Sequence, residues 1–267
     1  MHSEIRPVRL ATHRELAWKP SSGYAFASTS NVTQIAGEEL GLMATQYVLG
    51  VIDGEIPSMV ALLSLTPGTN LFVGPDGRWL GDYVPAVMRS YPFKLIPAES
   101  GEFALAFDEG SGLLASAGEA EAFFDDQERP TERVSKILQF LVNLHRGIRT
   151  TNEAIGRLKE RGLLEPWPLV IQDGENKVPI NGLLRVSESA LTQLDAVSFA
   201  ALREGGTLAV AYAQLISMAN LAKLGRLANA HAQYAERSRS QHEDVASMFA
   251  SAKADDDIDW DEVLKTD

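Results

Sequence analysis

Five side chains within thirteen residues set the chemistry that this chain can offer: Trp79, Asp82, Tyr83, Arg89 and Tyr91. Aromatic rings beside an acid and a base supply the walls and polar anchors that small polar ligands or peptides use. The same residues also make sense as architecture, an aromatic cluster with an Asp82–Arg89 bridge that ties down a turn. Neither alternative contains a nucleophile beside a base.

Elsewhere the usual constellations are missing. Asp108 and Glu109 end the apolar run Phe103–Phe107. Adjacent side chains diverge on an extended backbone, so the pair reads as a strand end or a loop-ordering acid rather than an acid–base couple. The histidines, His2, His13, His145, His231 and His242, show none of the tight spacings that hold a metal, and no metal site is expected. Gly110-Ser111-Gly112 lacks the flanking residues of a nucleophile elbow. No glycine-rich phosphate loop occurs, so no cofactor is implied.

The C-terminus carries a second candidate. From Asp255 to Asp267 there are seven acidic residues and one lysine, interleaved with Ile258, Trp260, Val263 and Leu264. Such a segment can add as a strand to a partner's sheet edge or present Trp260 and Leu264 from a helical turn. A solubilising tail has no need of a tryptophan. A docking role for these four residues therefore stands against an inert tail or an export signal.

Composition bounds the rest. With 267 residues, 45% hydrophobic and 22% charged, the chain can bury a sizeable core. A net charge of −12 argues against non-specific binding to nucleic acid or to an anionic membrane surface. The absence of cysteine removes disulfides and thiolate chemistry. No apolar run reaches the length of a signal peptide or a membrane span, which makes a cytoplasmic location the default and a cell-surface one dependent on signal-independent export.

The elements that must position these residues are short. Residues 1–30 read as irregular and pinned by Trp18, Tyr24 and Phe26, and Val32–Leu42 as a short helix. Tyr47–Ile52 and Ser58–Leu65 read as a hairpin around Asp53-Gly54. Leu71–Val73 continues the sheet to a turn at Pro75-Asp76-Gly77, and Phe93–Ile96 with Phe103–Phe107 form another pair. Apolar spacing predicts a helix from Thr131 and a second over Thr150–Arg161, packed as a helical hairpin. Leu169–Gln172 and Lys177–Val186 read as strands about Asp173-Gly174. Ser187 reads as an N-cap, and a long helix runs from about Leu208 to Tyr234. The expected fold is α+β: a mixed, mainly antiparallel sheet built from hairpins, packed against helices. A single domain covers 1–235, with a flexible acidic tail over 236–267.

Asn70-Leu71-Phe72-Val73 with Gly77-Arg78-Trp79, then Tyr83-Val84-Pro85-Ala86 and Arg89-Ser90-Tyr91-Pro92-Phe93, resembles the central signature of the bacterial SapC family. Further matches lie in order at Leu16–Phe26, Gly162–Trp167, Gly182–Glu188 and Leu208–Leu224. The chain departs from the pattern at Tyr47-Val48, where the family tends to have Tyr-Pro, and at Gln127-Glu128, where it has Asp-Gly. The resemblance implies a non-enzymatic accessory protein; the alternative is a small-ligand-binding protein or an enzyme that uses the aromatic Trp79–Phe93 region. Partners of the accessory protein would be a flavin-dependent tryptophan halogenase-like protein with an outer-membrane receptor, or a surface-layer component. It carries over no catalytic residue and no cofactor.

Overall fold

The computed structural model describes residues 4–98, 101–116, 118, 120–173 and 176–254. Thirteen strands are named here in chain order. They are β1 (Ile5–Pro7), β2 (Leu16–Trp18), β3 (Val32–Gln34), β4 (Val48–Ile52) and β5 (Ser58–Leu62). Next come β6 (Phe93–Pro97), β7 (Phe103–Asp108), β8 (Leu114–Ser116) and β9 (Glu121–Ala122). Then follow β10 (Leu164–Pro166), β11 (Val170–Asp173), β12 (Asn176–Pro179) and β13 (Leu183–Val186). The helices are α1 (Leu10–His13), α2 (Leu40–Gln46), α3 (Ala86–Arg89), α4 (Glu132–Glu160), α5 (Glu188–Thr192), α6 (Ala196–Ala201), α7 (Thr207–Ser217) and α8 (Leu221–Ala254).

The fold is α+β, and every strand pair among the described residues is antiparallel. Five strands form the largest sheet, in the order β10-β13-β4-β5-β3. Two three-stranded sheets, β1-β7-β6 and β8-β2-β9, and the ribbon β11-β12 complete the set. The chain divides into two compact units, Met1–Leu224 and Gly225–Asp267. In the second, α8 continues as helix through Ala254, past the point near Glu236 where the composition turns polar. No described helix is long and apolar enough to cross a membrane. The tail residues Ile258, Trp260, Val263 and Leu264 lie outside the described residues.

Several local expectations change. Residues 4–30 are only partly irregular: they hold β1, α1 and β2, followed by a loop with a 3-10 turn at Ala25–Ala27. Strands of three residues carry too little alternation to be read from sequence. Val32–Leu42 is a strand followed by a single 3-10 turn, with α2 starting at Leu40. The β4–β5 hairpin forms with its strands in register Val48↔Leu62 to Ile52↔Ser58. Its loop spans five residues, and neither Asp53 nor Gly54 takes a positive φ. Leu71–Val73 is a loop with one bridge, Val73 to Trp79, rather than a strand, whereas Gly77 does take φ 78° in its turn.

The two helices expected between Thr131 and Arg161 are one helix of 29 residues, α4. Thr131 caps it by accepting a hydrogen bond from Val134 N, and Gly162 ends it at φ 67°. Gly147 costs about 1 kcal/mol in helix propensity but does not break the helix. It admits the neighbouring segment, since a Cβ there would sit 2.9 Å from Ala36 Cβ. Ser187 does not cap α5 with its hydroxyl, which meets Ser189 Oγ at 3.2 Å instead. Glu128 adopts φ 62°, the left-handed region, where the resembled pattern has glycine.

Two packed regions hold the first unit. In one, Trp18, Phe93, Phe107, Phe123, Leu141 and Leu144 bury one another between β6-β7, β2 and α4. Their rings meet edge to face at 4.8 Å (Trp18–Phe93), 5.1 Å (Phe93–Phe107) and 5.3 Å (Phe107–Phe123). In the other, α7 packs on α2, α4 and the five-stranded sheet. There the β13–β4 ladder spans only Leu183↔Ile52 and Leu184↔Val51. Past it, the buried Gln214 side chain bridges the two strands. It accepts from Val186 N at 2.9 Å and donates to Leu49 O at 3.1 Å. Ser217 Oγ accepts from Leu49 N at 3.0 Å. Asn220 completes the seam by donating to Ala44 O and Tyr47 O, both at 2.9 Å, which satisfies the end of α2.

Candidate functional site

The region from Trp79 to Tyr91 is built on a buried carboxylate that the sequence reading overlooked. Glu39 ends the 3-10 turn before α2 and is 5% exposed. It accepts hydrogen bonds from Ala36 N (3.2 Å), Tyr83 Oη (2.9 Å) and Ala86 N (2.9 Å). Those donors come from the turn itself, the Tyr83 loop and the start of α3, so one carboxylate fixes three segments. Only its helix-start position beside Glu38 is visible in the sequence, and nothing there says which of the two acids is buried.

Trp79 is committed to architecture. Its indole N–H donates to Tyr47 Oη at 3.0 Å and to Tyr83 O at 3.1 Å, and Tyr47 Oη donates to Tyr83 O as well. The backbone passes close by at Gly81, where a Cβ would lie 3.1 Å from Trp79 Nε1 and 3.2 Å from Tyr47 Oη. Asp82 is exposed. The Asp82–Arg89 bridge of the architectural alternative does not form. Arg89 donates to Tyr83 Oη at 3.1 Å and lies over the rings of Tyr83 (5.5 Å) and Phe140 (5.6 Å). Among the described residues no carboxylate pairs with it. Glu39, Tyr83 and Arg89 thus form a chain that runs from a buried acid to an exposed guanidinium.

Arg89 and Tyr91 share a groove of about 450 Å³ with Trp18, Tyr24, Phe26 and Phe140. Phe26 and Tyr91 stack face to face, their centroids 3.7 Å apart and their planes 9° from parallel. Beyond this stack lies a second hollow of about 400 Å³, reaching Lys94 and Asp108. Beyond Arg89 and Phe140 lies a third of about 370 Å³, walled by Glu39, Tyr83 and Asn143. Three cations, Arg89, Arg133 and Lys136, line the first groove, and no acid does. Arg133 lies over the Trp18 ring at 5.2 Å and pairs with Glu121 at 2.6 Å; Lys136 pairs with Glu132 at 2.6 Å. Trp18 itself is 4% exposed, and its indole N–H has no acceptor in the protein.

The structure therefore brings Arg89 and Tyr91 into one groove, puts Tyr83 on its neighbour, and leaves Trp79 and Asp82 outside both. The sequence marks Trp18 only as a pin of the N-terminal segment, and does not mark Phe140, Arg133 or Lys136 at all. They arrive from β2 and α4, and no local spacing announces their convergence.

The electrostatics favour neutral phenols. Burial, reinforced by the hydrogen bond to Glu39 and its charge, raises the Tyr83 pKa above 10.0, with Arg89 opposing. Burial, together with the Asp108 charge, does the same at Tyr91, whose hydroxyl bonds that of Ser111. Tyr47 is pushed up further, chiefly by burial. The Ser90 hydroxyl is spent on Val87 O at 2.8 Å. Asp108 orders a loop by accepting from Glu4 N at 2.8 Å. These groups hold shape and polarity; none is poised as a base or a nucleophile.

His13, 1% exposed, packs edge-on against Phe123 at 5.0 Å, with Nδ1 at 2.7 Å from Thr12 Oγ1 and Nε2 at 3.5 Å from Glu109. Burial pulls its pKa below 6.5, outweighing the attraction of Glu109, while Arg6 adds a small push in the same direction as burial. The unfolded chain binds the proton at a higher pH than the folded one, so this contribution is complete above about 6.5 and is lost as pH falls below it. Urea midpoints measured from pH 7.5 down to 5 should therefore drop more steeply in the native protein than in His13→Phe.

A protein-family model described as SapC matches residues 9–224. The match ends at Leu224, where the first compact unit also ends. No curated protein and no solved structure matches the chain.

Proposed function

We propose, from the SapC family to which this chain belongs, that it is a non-enzymatic accessory protein that binds a small ligand in the groove at Arg89 and Tyr91. One observation carries the reading. The aromatic walls gather three cations and no acid, and Arg89 has no carboxylate partner among the described residues. An aromatic pocket with a few convergent polar groups is the common form of a ligand site. The raised phenol pKa values and committed hydroxyls favour binding over catalysis.

The accessory part of the proposal rests on the family resemblance and on the tail sequence. A tryptophan halogenase-like protein or a surface-layer component is the partner class, and Ile258, Trp260, Val263 and Leu264 are the docking residues. Thermal unfolding against a broad pool of small metabolites tests the groove. A ligand at 100 times its Kd should stabilise the protein by about 2.7 kcal/mol, and Arg89→Ala should remove most of that gain. If no pool shifts the transition, the groove is not a site. Deleting Asp255–Asp267 should leave the ligand response intact and abolish co-purification of the partner; retained co-purification overturns the role of the tail.

A further inference from the structure

The groove also carries features that narrow the class of ligand. One wall is aromatic: the Phe26–Tyr91 stack, with planes 9° apart, lines the groove beside Trp18, Tyr24 and Phe140. Its polarity is one-sided, with Arg89, Arg133 and Lys136 on the lining and no acid, in a chain of net charge −12. The cations are not equivalent. Arg133 and Lys136 each hold an exposed carboxylate at 2.6 Å, whereas among the described residues Arg89 bonds the neutral Tyr83 hydroxyl and no acid. A guanidinium carries five N–H donors in a fork that matches a carboxylate in two places.

The fourth feature is Trp18. It lines the same groove, is 4% exposed, and its indole N–H finds no acceptor. Buried donors are nearly always satisfied by protein or water, and an exception calls for a missing partner. An acceptor-bearing ligand supplies one. The volume, about 450 Å³, suits a small molecule rather than a folded partner.

We propose that the groove binds a small aromatic carboxylate, its ring against the Phe26–Tyr91 wall and its carboxylate on Arg89, with Trp18 donating to the same anion. This rests on the ligand-binding reading above and deepens it. Arg89 is exposed, so replacing it leaves the buried packing intact.

Titration calorimetry of the full chain with 2-naphthoate, its neutral amide 2-naphthamide, decanoate and inorganic phosphate separates the alternatives. The naphthoate should bind, the amide at least tenfold more weakly, and decanoate and phosphate not measurably. Arg89→Ala should weaken naphthoate at least tenfold, and Arg89→Lys should restore only part of the loss because the fork is gone. Equal binding of the amide overturns the carboxylate contact. Equal binding of decanoate overturns the ring wall, and equal binding of phosphate overturns both. If none of the four binds, the aromatic-carboxylate assignment falls. The groove reading falls with it only when the broad metabolite pool is also silent.

Discussion

Gln214→Leu should lower the free energy of unfolding by about 3 kcal/mol, since each buried polar group left unpaired costs ~1–3 kcal/mol. The substitution keeps an apolar body of similar reach and removes the amide. What it strands are two backbone groups, Val186 N–H and Leu49 C=O, at the place where the β13–β4 ladder has already run out. Gln214 is fully buried, so water cannot take over either bond without opening the seam between α7 and the sheet. Against a total stability of ~5–15 kcal/mol, the loss is large. Urea unfolding followed by circular dichroism measures it: the midpoint should fall with the slope unchanged. Ser217→Ala, which strands Leu49 N–H and takes the hydroxyl donor from Gln214 O, should cost about half as much. A loss under about 0.5 kcal/mol for Gln214→Leu would mean that the strands close on each other without the amide.

The second large effect falls on the candidate site. Glu39→Ala removes the acceptor of three hydrogen bonds. Bonds to a charged group contribute ~1.5–3 kcal/mol each, and because the three share one anchor their sum overstates the change, so a loss of about 4 kcal/mol is expected. Glu39→Gln is the informative companion. All three groups facing the carboxylate are donors, so the amide must turn its NH2 toward at least one of them. It should recover roughly half of the loss and no more. Thermal unfolding of both variants gives the ranking. Because Tyr83 connects Glu39 to Arg89, both variants should also loosen Arg89, and ligand stabilisation should fall further than in a surface control. A glutamine variant as stable as the native protein would show that the carboxylate's charge is immaterial.

The sequence was most legible where local chemistry decides structure. The β4–β5 and β6–β7 hairpins follow from apolar runs bounded by turn residues, and the start of α4 at Thr131 from the apolar spacing that follows it. It was least legible where packing decides. The spacing predicts two helices between Thr131 and Arg161, yet α4 runs unbroken through Gly147, where a Cβ would crowd Ala36 at 2.9 Å. At the site, Arg89 and Tyr91 stand out by type and spacing, but Trp18 and Phe140 come from segments that nothing local links to them. Glu39 is hidden for a different reason: an acid in a first helical turn is common, and its role depends on Tyr83, 44 residues away.

The unbroken α4 has a further consequence. Its N-terminal half supplies Arg133, Lys136 and Phe140 to the groove, while its C-terminal half packs under β5 and α7, with Arg157 Nε donating to Thr207 Oγ1 at 3.0 Å. A rod of 29 residues, about 43 Å long, cannot fray in the middle without exposing Leu141, Leu144 and Ile155 together. Amide protons at its two ends should therefore exchange through one shared opening of the first unit rather than two local ones. A molecule seated in the groove would slow exchange at Leu49 and Val186, residues that line no part of it.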